Sequence, residues 1–193
     1  ANDNGNDGIK PYATSTAVLD LVVDQNDLSG NFNEGIRIDT NGTSIVRATI
    51  TNNDANDNVG EAQAVGIQLT AAGDSQIIGT ISDNNTLNNG TIGIYTYTST
   101  TADLSVTIED NVVEGGSHGI YVLGNTGTAT ADAIIRNNTV TDAASYGITV
   151  YANNETTVTG DVYGNTITGS GHSGIYVRSR IDGDLDASFS NNE

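Results

Sequence analysis

The chain has 193 residues, no cysteine, and 24 acidic side chains against six basic ones, which gives a formal net charge of −18. These properties exclude disulfide and thiol chemistry, and they argue against a nucleic-acid partner because the chain would repel phosphates. No apolar run approaches the length of a membrane span, so membrane insertion is not expected. The acidity has three explanations that the sequence leaves open: a solvated surface, adaptation to high salt, or binding of calcium.

The start of the chain favours export from the cell. It begins at Ala1 and contains no methionine, which is typical of a mature protein whose leader peptide has been removed. A piece cut from a longer protein would look the same. We therefore expect a secreted, extracellular or cell-surface protein.

A Gly-Ile pair recurs along the chain and predicts the first strand of each repeat. The pairs are Gly8-Ile9, Gly35-Ile36, Gly66-Ile67, Gly93-Ile94, Gly119-Ile120, Gly147-Ile148 and Gly174-Ile175. An apolar series runs in parallel and consists of Val23, Ile50, Ile81, Ile108, Ile135, Val162 and Phe189. We assign a third series, of asparagines, to Asn26, Asn53, Asn85, Asn111, Asn138, Asn165 and Asn192. Since three independent series share a period of about 27 residues, the chain is a repeat protein.

Each repeat contains three short segments in which apolar and polar residues alternate. Gly174–Val177 represents the first segment, Leu104–Ile108 the second and Asn165–Thr168 the third. Alternation with a period of two is typical of strands, while Gly and Asn suit the corners between them. We therefore predict one all-β domain over residues 1–193, a parallel β-helix of about seven coils with three short strands each. The four extra residues of the longest repeat are expected near residues 59–64.

The series also predict how the coils are held together. Coils of this kind stack, so that equivalent residues form ladders about 4.8 Å apart. An asparagine turned inward at a corner can bond its amide to the asparagine of the next coil, which satisfies groups that would otherwise be buried without partners.

Units such as Asn137-Asn138-Thr139-Val140, followed by Gly147-Ile148-Thr149-Val150, resemble the right-handed parallel β-helix superfamily, the pectate-lyase-like group. The resemblance covers nearly the whole chain and implies right-handed coils. It says little about function, because lyases, epimerases, adhesins and phage tailspikes share this fold. Members usually cover their ends with a helix or a folded loop. We find no sequence for either and predict no clear caps.

The two ends of the chain are expected to match like the halves of one coil. Gly8 of a following copy would stand nine residues after Asn192, which is the spacing inside most repeats. This favours a module or subunit that stacks head to tail into a filament or surface stalk; a boundary inside a longer protein is the alternative. The predicted assembly interface comprises Ala1, Asn2, Asp3, Gly8, Ile9, Asp20, Asp27, Asp186, Phe189, Asn192 and Glu193.

Such a junction would bring carboxylates together. Glu193 would lie one coil from Asp27, which is one coil from Asp54, and Asp186 would similarly lie beside Asp20. Calcium could bridge these groups, because it accepts several carboxylate oxygens in flexible geometry. Screening by salt and water is the alternative, and no standard calcium-binding motif is present.

Tyrosines cluster at the outward positions of the Gly-Ile strand. In polysaccharide-active relatives the corresponding sheet forms the substrate groove, whereas plain cross-strand packing of tyrosines is the alternative. The candidate carbohydrate-binding residues are Tyr95, Tyr97, Tyr121, Tyr151, Tyr176 and Arg178. We expect His118 and His172 to lie at corners as surface polar groups, and no set of acid and base residues indicates catalysis.

The sequence therefore favours a non-catalytic extracellular structural protein that stacks with itself. The alternative is a β-helix that binds or processes polysaccharide, in the manner of a uronate lyase or epimerase.

Overall fold

A computed structural model describes residues 1–60 and 64–193. The strands, numbered along the chain, are β1 (Tyr12–Ala13), β2 (Val18–Asp24), β3 (Ile36–Thr40), β4 (Ile45–Thr51), β5 (Val65–Ala71), β6 (Gln76–Ser82), β7 (Asn85–Leu87), β8 (Ile92–Thr100), β9 (Asp103–Glu109), β10 (Val112–Glu114), β11 (His118–Gly127), β12 (Thr130–Arg136), β13 (Thr139–Thr141), β14 (Tyr146–Asn153), β15 (Thr157–Tyr163), β16 (Thr166–Thr168), β17 (Ser173–Arg180) and β18 (Asp184–Ser190). The described residues form no helix long and apolar enough to cross a membrane.

The strands form three parallel sheets that run along the molecule. The first sheet has the order β1-β3-β5-β8-β11-β14-β17, the second β2-β4-β6-β9-β12-β15-β18 and the third β7-β10-β13-β16. Neighbouring strands in a sheet come from successive turns of the chain, so the structure is a parallel β-helix. The seven-stranded sheets confirm seven coils, whereas the third sheet begins only with the third coil.

Two of the predicted ladders are confirmed by strand register. The isoleucines of the Gly-Ile pairs follow one another from Ile9 to Ile175, and the apolar series runs from Val23 to Phe189 on the second sheet. The inner members, such as Ile94 and Ile108, are fully buried. Each such side chain contributes roughly 2–3 kcal/mol on burial, so the stacked core supplies most of the stabilisation.

The asparagine ladder is also present, but our assignment of Asn85 to it was wrong. Asn84 occupies that place, and its backbone N–H and Nδ2 both donate to Asn111 Oδ1 at 3.0 Å. Its Nδ2 also donates to the Ile50 carbonyl at 3.0 Å. Asn85 points outward and donates to Asp54 Oδ1 at 2.7 Å. With Asn84, every ladder asparagine follows its apolar residue by three positions.

A second asparagine ladder supports the first four coils and was not predicted. It consists of Asn4, Asn31, Asn58 and Asn89. The Asn31 N–H donates to Asn58 Oδ1 at 2.8 Å, and Asn58 Nδ2 donates to Asn89 Oδ1 at 2.9 Å. Each of the last three follows a member of the first ladder by five residues, and this spacing was the signal that could have revealed them.

The corner before each first-ladder asparagine has left-handed backbone. The residues there have φ between 51° and 67°, and they are Gln25, Asn52, Asp83, Asp110, Asn137, Gly164 and Asn191. Asn, Asp and Gly tolerate this conformation better than other residues, which explains their frequency at this position.

The longer repeat gains its four residues at one corner. Asn31 precedes Gly35 by four residues, whereas Asn58 precedes Gly66 by eight, and both pairs are in register. The extra residues therefore lie between Asn58 and Gly66. Our prediction of residues 59–64 falls within that interval, although residues 61–63 lie outside the described part of the chain.

Replacing Asn84 with alanine should lower the free energy of unfolding by about 2–4 kcal/mol, because the buried Asn53 N–H loses its acceptor and the Ile50 carbonyl loses the bond from Asn84 Nδ2. The matched control is Asn85→Ala, which removes only the exposed bond to Asp54 and should cost less than about 1 kcal/mol. Thermal unfolding followed by circular dichroism measures both. Equal losses for the two variants would contradict the ladder assignment.

Candidate functional site

Aromatic rings form a continuous strip on the outer face of the first sheet. Tyr95 lies 6.2 Å from Tyr97 and 5.5 Å from Tyr121, between ring centroids. Tyr146 stacks on Tyr176 at 4.3 Å with an interplanar angle of 15°. We call this surface the aromatic strip; it comprises Tyr95, Tyr97, His118, Tyr121, Tyr146 and Tyr176.

Tyr146 was not among the predicted residues, and His118, which was expected as a surface polar group at a corner, instead begins strand β11 and packs within the strip. His118 stacks on Tyr121 at 4.8 Å and lies 5.4 Å from Tyr146, so it connects the two halves of the strip. Its Nδ1 lies 3.1 Å from the hydroxyl of Thr149, the residue that interrupts the tyrosine row. Both His118 and Tyr146 stand two positions before an inward isoleucine, so strict strand alternation would have predicted an inward side chain and did not reveal them.

The other predicted carbohydrate residues lie beside the strip. The guanidinium of Arg178 lies 5.4 Å from the ring centre of Tyr151, a distance typical of a cation–π contact. Leu123 separates Tyr151 from Tyr97 in the same row. His172 was expected at a corner; its ring lies 5.6 Å from Tyr146, at the border of the strip.

Burial favours the neutral forms of three rings in the strip, Tyr95, His118 and Tyr121. Burial, with the nearby Tyr151 and Tyr176 phenols, raises the pKa of Tyr121 to about 12. Burial also raises the pKa of Tyr95, and it lowers the pKa of the His118 imidazole. This part of the strip therefore presents uncharged rings, and its phenol groups can both donate and accept hydrogen bonds.

Several depressions lie on the outer faces of the described coils. One of about 300 Å³ borders the aromatic strip, and Tyr95, His118 and Tyr121 contribute to its lining. A larger one of about 480 Å³ lies on the second sheet and is lined mainly by Ser, Thr and Asp side chains. In residues 1–60 and 64–193, no group of three or more His, Cys, Asp or Glu side chains is arranged to hold a metal ion.

The predicted assembly residues lie on the outermost coils. Those of the first coil are Ala1, Asn2, Asp3, Gly8, Ile9, Asp20 and Asp27, and those of the last coil are Asp186, Phe189, Asn192 and Glu193. Strands β1, β2, β17 and β18 are the outer strands of their sheets and each pairs with one described strand. Phe189 leaves 43% of its surface exposed at the end of the apolar ladder.

The asparagine ladder gives these two edges different chemistry. Every member donates its N–H and Nδ2 to Oδ1 of the asparagine in the following coil, as Asn165 does to Asn192. At the first coil, Asn26 Oδ1 accepts no bond from a described residue. At the last coil, the Asn192 N–H donates to none of them, while its Nδ2 donates to the Val162 carbonyl at 2.9 Å. One edge thus offers an acceptor and the other a donor.

Three of the carboxylates considered for calcium, Asp20, Asp27 and Asp54, have partners within the chain. The backbones of Asp27 and Asp54 pair in an isolated parallel β-bridge, so the two residues lie one coil apart, as predicted. Asn2 Nδ2 donates to Asp27 at 2.8 Å, and Arg47 lies 3.1 Å from Asp20. These contacts offset part of the repulsion between stacked acids.

A family model described as the right-handed β-helix region matches residues 1–163. The chain belongs to this right-handed β-helix family. The predicted resemblance and the right-handed winding are therefore confirmed. A search of the curated proteins and a search of the solved structures gave no significant match.

On this right-handed β-helix the aromatic strip spans the fourth to the seventh coil. Flat neutral rings can stack against an apolar surface, while the phenols exchange hydrogen bonds with hydroxyl groups. His118 is the strip residue that can accept a proton near neutral pH.

His118 should titrate below 6.5, because burial lowers its pKa relative to the unfolded chain. Tyr121→Ala uncovers one face of the imidazole and should move the midpoint back towards 6.5. The measurement is an NMR titration of the imidazole C–H signals. Tyr163→Ala, on the second sheet, is the control and should leave the midpoint unchanged; a wild-type midpoint above 6.5 would contradict the described burial.

Proposed function

We propose that the chain is a non-catalytic extracellular structural module whose coils continue head to tail into a second copy or a neighbouring module. The product is a filament or surface stalk built as one β-helix. The observation that supports this proposal most strongly is the direction of the asparagine ladder, with an acceptor at Asn26 and a donor at Asn192. Open edges of parallel sheets offer main-chain groups for the same extension.

The register of the last coils supports the same junction. One further step of 27 residues places Asn192 beside Asn26 of the next copy and Phe189 beside Val23. The first pair repeats the amide bond of the interior ladder, and the second repeats its apolar contact. Such a junction therefore needs no new type of interaction.

An unpaired hydroxyl at the last coil agrees with this register. Ser170 Oγ is buried and has no hydrogen-bond partner among the described residues. The same step places it beside Asn4 of the next copy, whose Oδ1 can accept its proton. A buried hydroxyl without a partner costs free energy, so the junction would relieve that cost.

Calcium is the ion that we propose for this junction. Stacking would bring Glu193 beside Asp27 and Asp186 beside Asp20, and a cation would reduce their repulsion. Because Asp27 and Asp20 already have partners within the chain, we expect the asparagine ladder to contribute more than the ion.

Asn192→Asp should weaken stacking by roughly tenfold or more, since a buried amide donor is replaced by a carboxylate that faces the Asn26 acceptor. The change keeps the oxygen that accepts from Asn165 at 2.9 Å, so the chain should still fold. Sedimentation velocity over a concentration series, with electron microscopy of the samples, measures the assembly.

The control is Asn191→Asp, which adds the same charge to the adjacent exposed residue and should assemble like the wild type. Each protein is tested with calcium and with a chelator. If the two variants assembled equally well, the asparagine ladder would not contribute to stacking. A wild-type chain that stays monomeric at high concentration under both conditions would contradict stacking.

A second function, binding of an extracellular polysaccharide, is supported by the aromatic strip and the depression beside it. Processing of uronates is the enzymatic form of this alternative. In that form the neutral His118 is the strip residue able to act as a proton acceptor.

Tyr121→Ala should reduce polysaccharide binding at least about tenfold, because it removes the ring at the centre of the strip. Binding and cleavage are measured on a panel of uronate and neutral polysaccharides, with Tyr163→Ala as the matched control. If the wild type neither binds nor cleaves any member of the panel, the strip serves only to pack its own strands.

A further inference from the structure

Asp7 and Glu34 occupy equivalent places in the first two coils, each directly before the glycine of its Gly-Ile pair. We call them the acidic pair. Only 2% of either side chain is exposed. The Glu34 N–H donates to Asp7 Oδ1 at 3.3 Å, and Glu34 Oε2 is buried without a hydrogen-bond partner among the described residues. Two carboxyl groups are therefore stacked one coil apart with little water around them.

The charges around the acidic pair do not balance. Lys10 Nζ lies 2.9 Å from Asp7, and Arg37 Nη1 lies 3.4 Å from Glu34. Arg37 Nε also contacts Asp39 at 2.8 Å. The next coil offers Val65 in the same row, which carries no charge. Two cations thus face three carboxyl groups, and a single proton would neutralise the cluster.

Glu34 is the residue that holds this proton. Burial, together with the hydrogen bond and charge of Asp7, raises the pKa of Glu34 to about 7. Burial acts on Asp7 in the same direction, but hydrogen bonds with Glu34 and Lys10 outweigh it and lower the pKa of Asp7. The pair therefore holds one proton in mildly acidic solution and none in mildly basic solution.

The segment that carries Asp7 is attached mainly by hydrogen bonds, among them those from Asn4 Nδ2 to Asn31 Oδ1 at 2.8 Å and from the Phe32 N–H to the Asn4 carbonyl at 2.9 Å. Before Tyr12, where β1 begins, it pairs with the second coil through the isolated bridge between Ile9 and Ile36. The N–H groups of Asp3 and Gly8 donate to Ser29 and Glu34 carbonyls, at 3.1 and 2.9 Å. Residues 1–6 are exposed. Exposed hydrogen bonds at the end of a chain open at lower free-energy cost than a packed core, so an electrostatic contact between buried acids changes how often this segment opens.

We propose that the acidic pair is a proton-controlled contact that strengthens the attachment of residues 1–11 while one proton is shared, and weakens it when both groups are ionised. This segment forms the edge that is used in the proposed stacking, so the same proton also controls assembly. That second statement rests on the function proposed above. The sign follows from linkage: the folded pKa of Glu34 lies above its unfolded value, so the stabilisation is complete at low pH and is lost as pH rises through about 7.

Hydrogen exchange of the dilute, monomeric chain tests the contact itself. Protection of residues 1–11, corrected for intrinsic exchange, should fall at least about tenfold between pH 5 and pH 8. Glu34→Gln, which mimics the protonated acid, should keep its protection within about twofold over that range. Glu114→Gln is the charge-matched control at an exposed site and should behave like the wild type. Asp7→Asn removes the hydrogen bond and charge of the other acid but leaves Glu34 buried, so it should reduce the pH dependence without abolishing it.

Sedimentation of the same proteins at high concentration tests the consequence. Assembly of the wild type and of Glu114→Gln should decline as pH rises from 5 to 8, whereas Glu34→Gln should persist at pH 8. Protection that is independent of pH in the wild type, or equally dependent on pH in Glu34→Gln, overturns the proposal. If protection responds as expected but nothing assembles at any pH, the proton-controlled contact stands and the stacking function fails.

Discussion

Each coil of this protein has a corner whose backbone N–H and carbonyl groups face the interior, and the buried asparagine amides stabilise that corner by bonding to them. A backbone corner inside the solenoid has N–H and carbonyl groups that no strand satisfies. The ladder asparagine accepts two bonds from the preceding coil and donates to the following one and to a nearby carbonyl, as Asn111 does. Because this set of bonds recurs with the period of the chain, it fixes the register in which the apolar side chains meet.

Much of the fold could be predicted because one period governs all of it. The isoleucine and apolar series identified the coils, their number and the inward face of two sheets. The asparagine of the third coil was misassigned because Asn84 and Asn85 are adjacent and identical. Only their spacing from Ile81 along the sequence, three residues against four, shows which amide points inward. The second ladder was missed because it stops after Asn89, where glycine and alanine take over.

The candidate site was less predictable than the fold. Strand alternation placed five tyrosines on one face, but it could not show that Thr149 interrupts the row or that His118 covers the interruption. Contacts of that kind depend on how rings lean across coils, which the period does not determine. The acidic pair escaped notice because its row also carries Val65, Ile92, His118 and Tyr146, so no repeated residue type marks the position.

The molecule thus separates three properties on one scaffold: amides and aliphatic groups inside, aromatic rings on part of the first sheet, and distinct chemistry at each end. The first two coils carry charged groups where later coils carry rings. A uniform inner ladder permits such variation, because outward substitutions leave the register unchanged.

The one-way asparagine ladder also makes the molecule electrically asymmetric along its axis. Each side-chain amide has a dipole of about 3.5 D, and seven of them point in the same direction. The resulting field is positive at the last coil, where Asn192 presents its N–H, and negative at the first, where Asn26 presents its oxygen. In the proposed stack this asymmetry favours a single orientation, with the Asn192 N–H facing the Asn26 oxygen of the next copy.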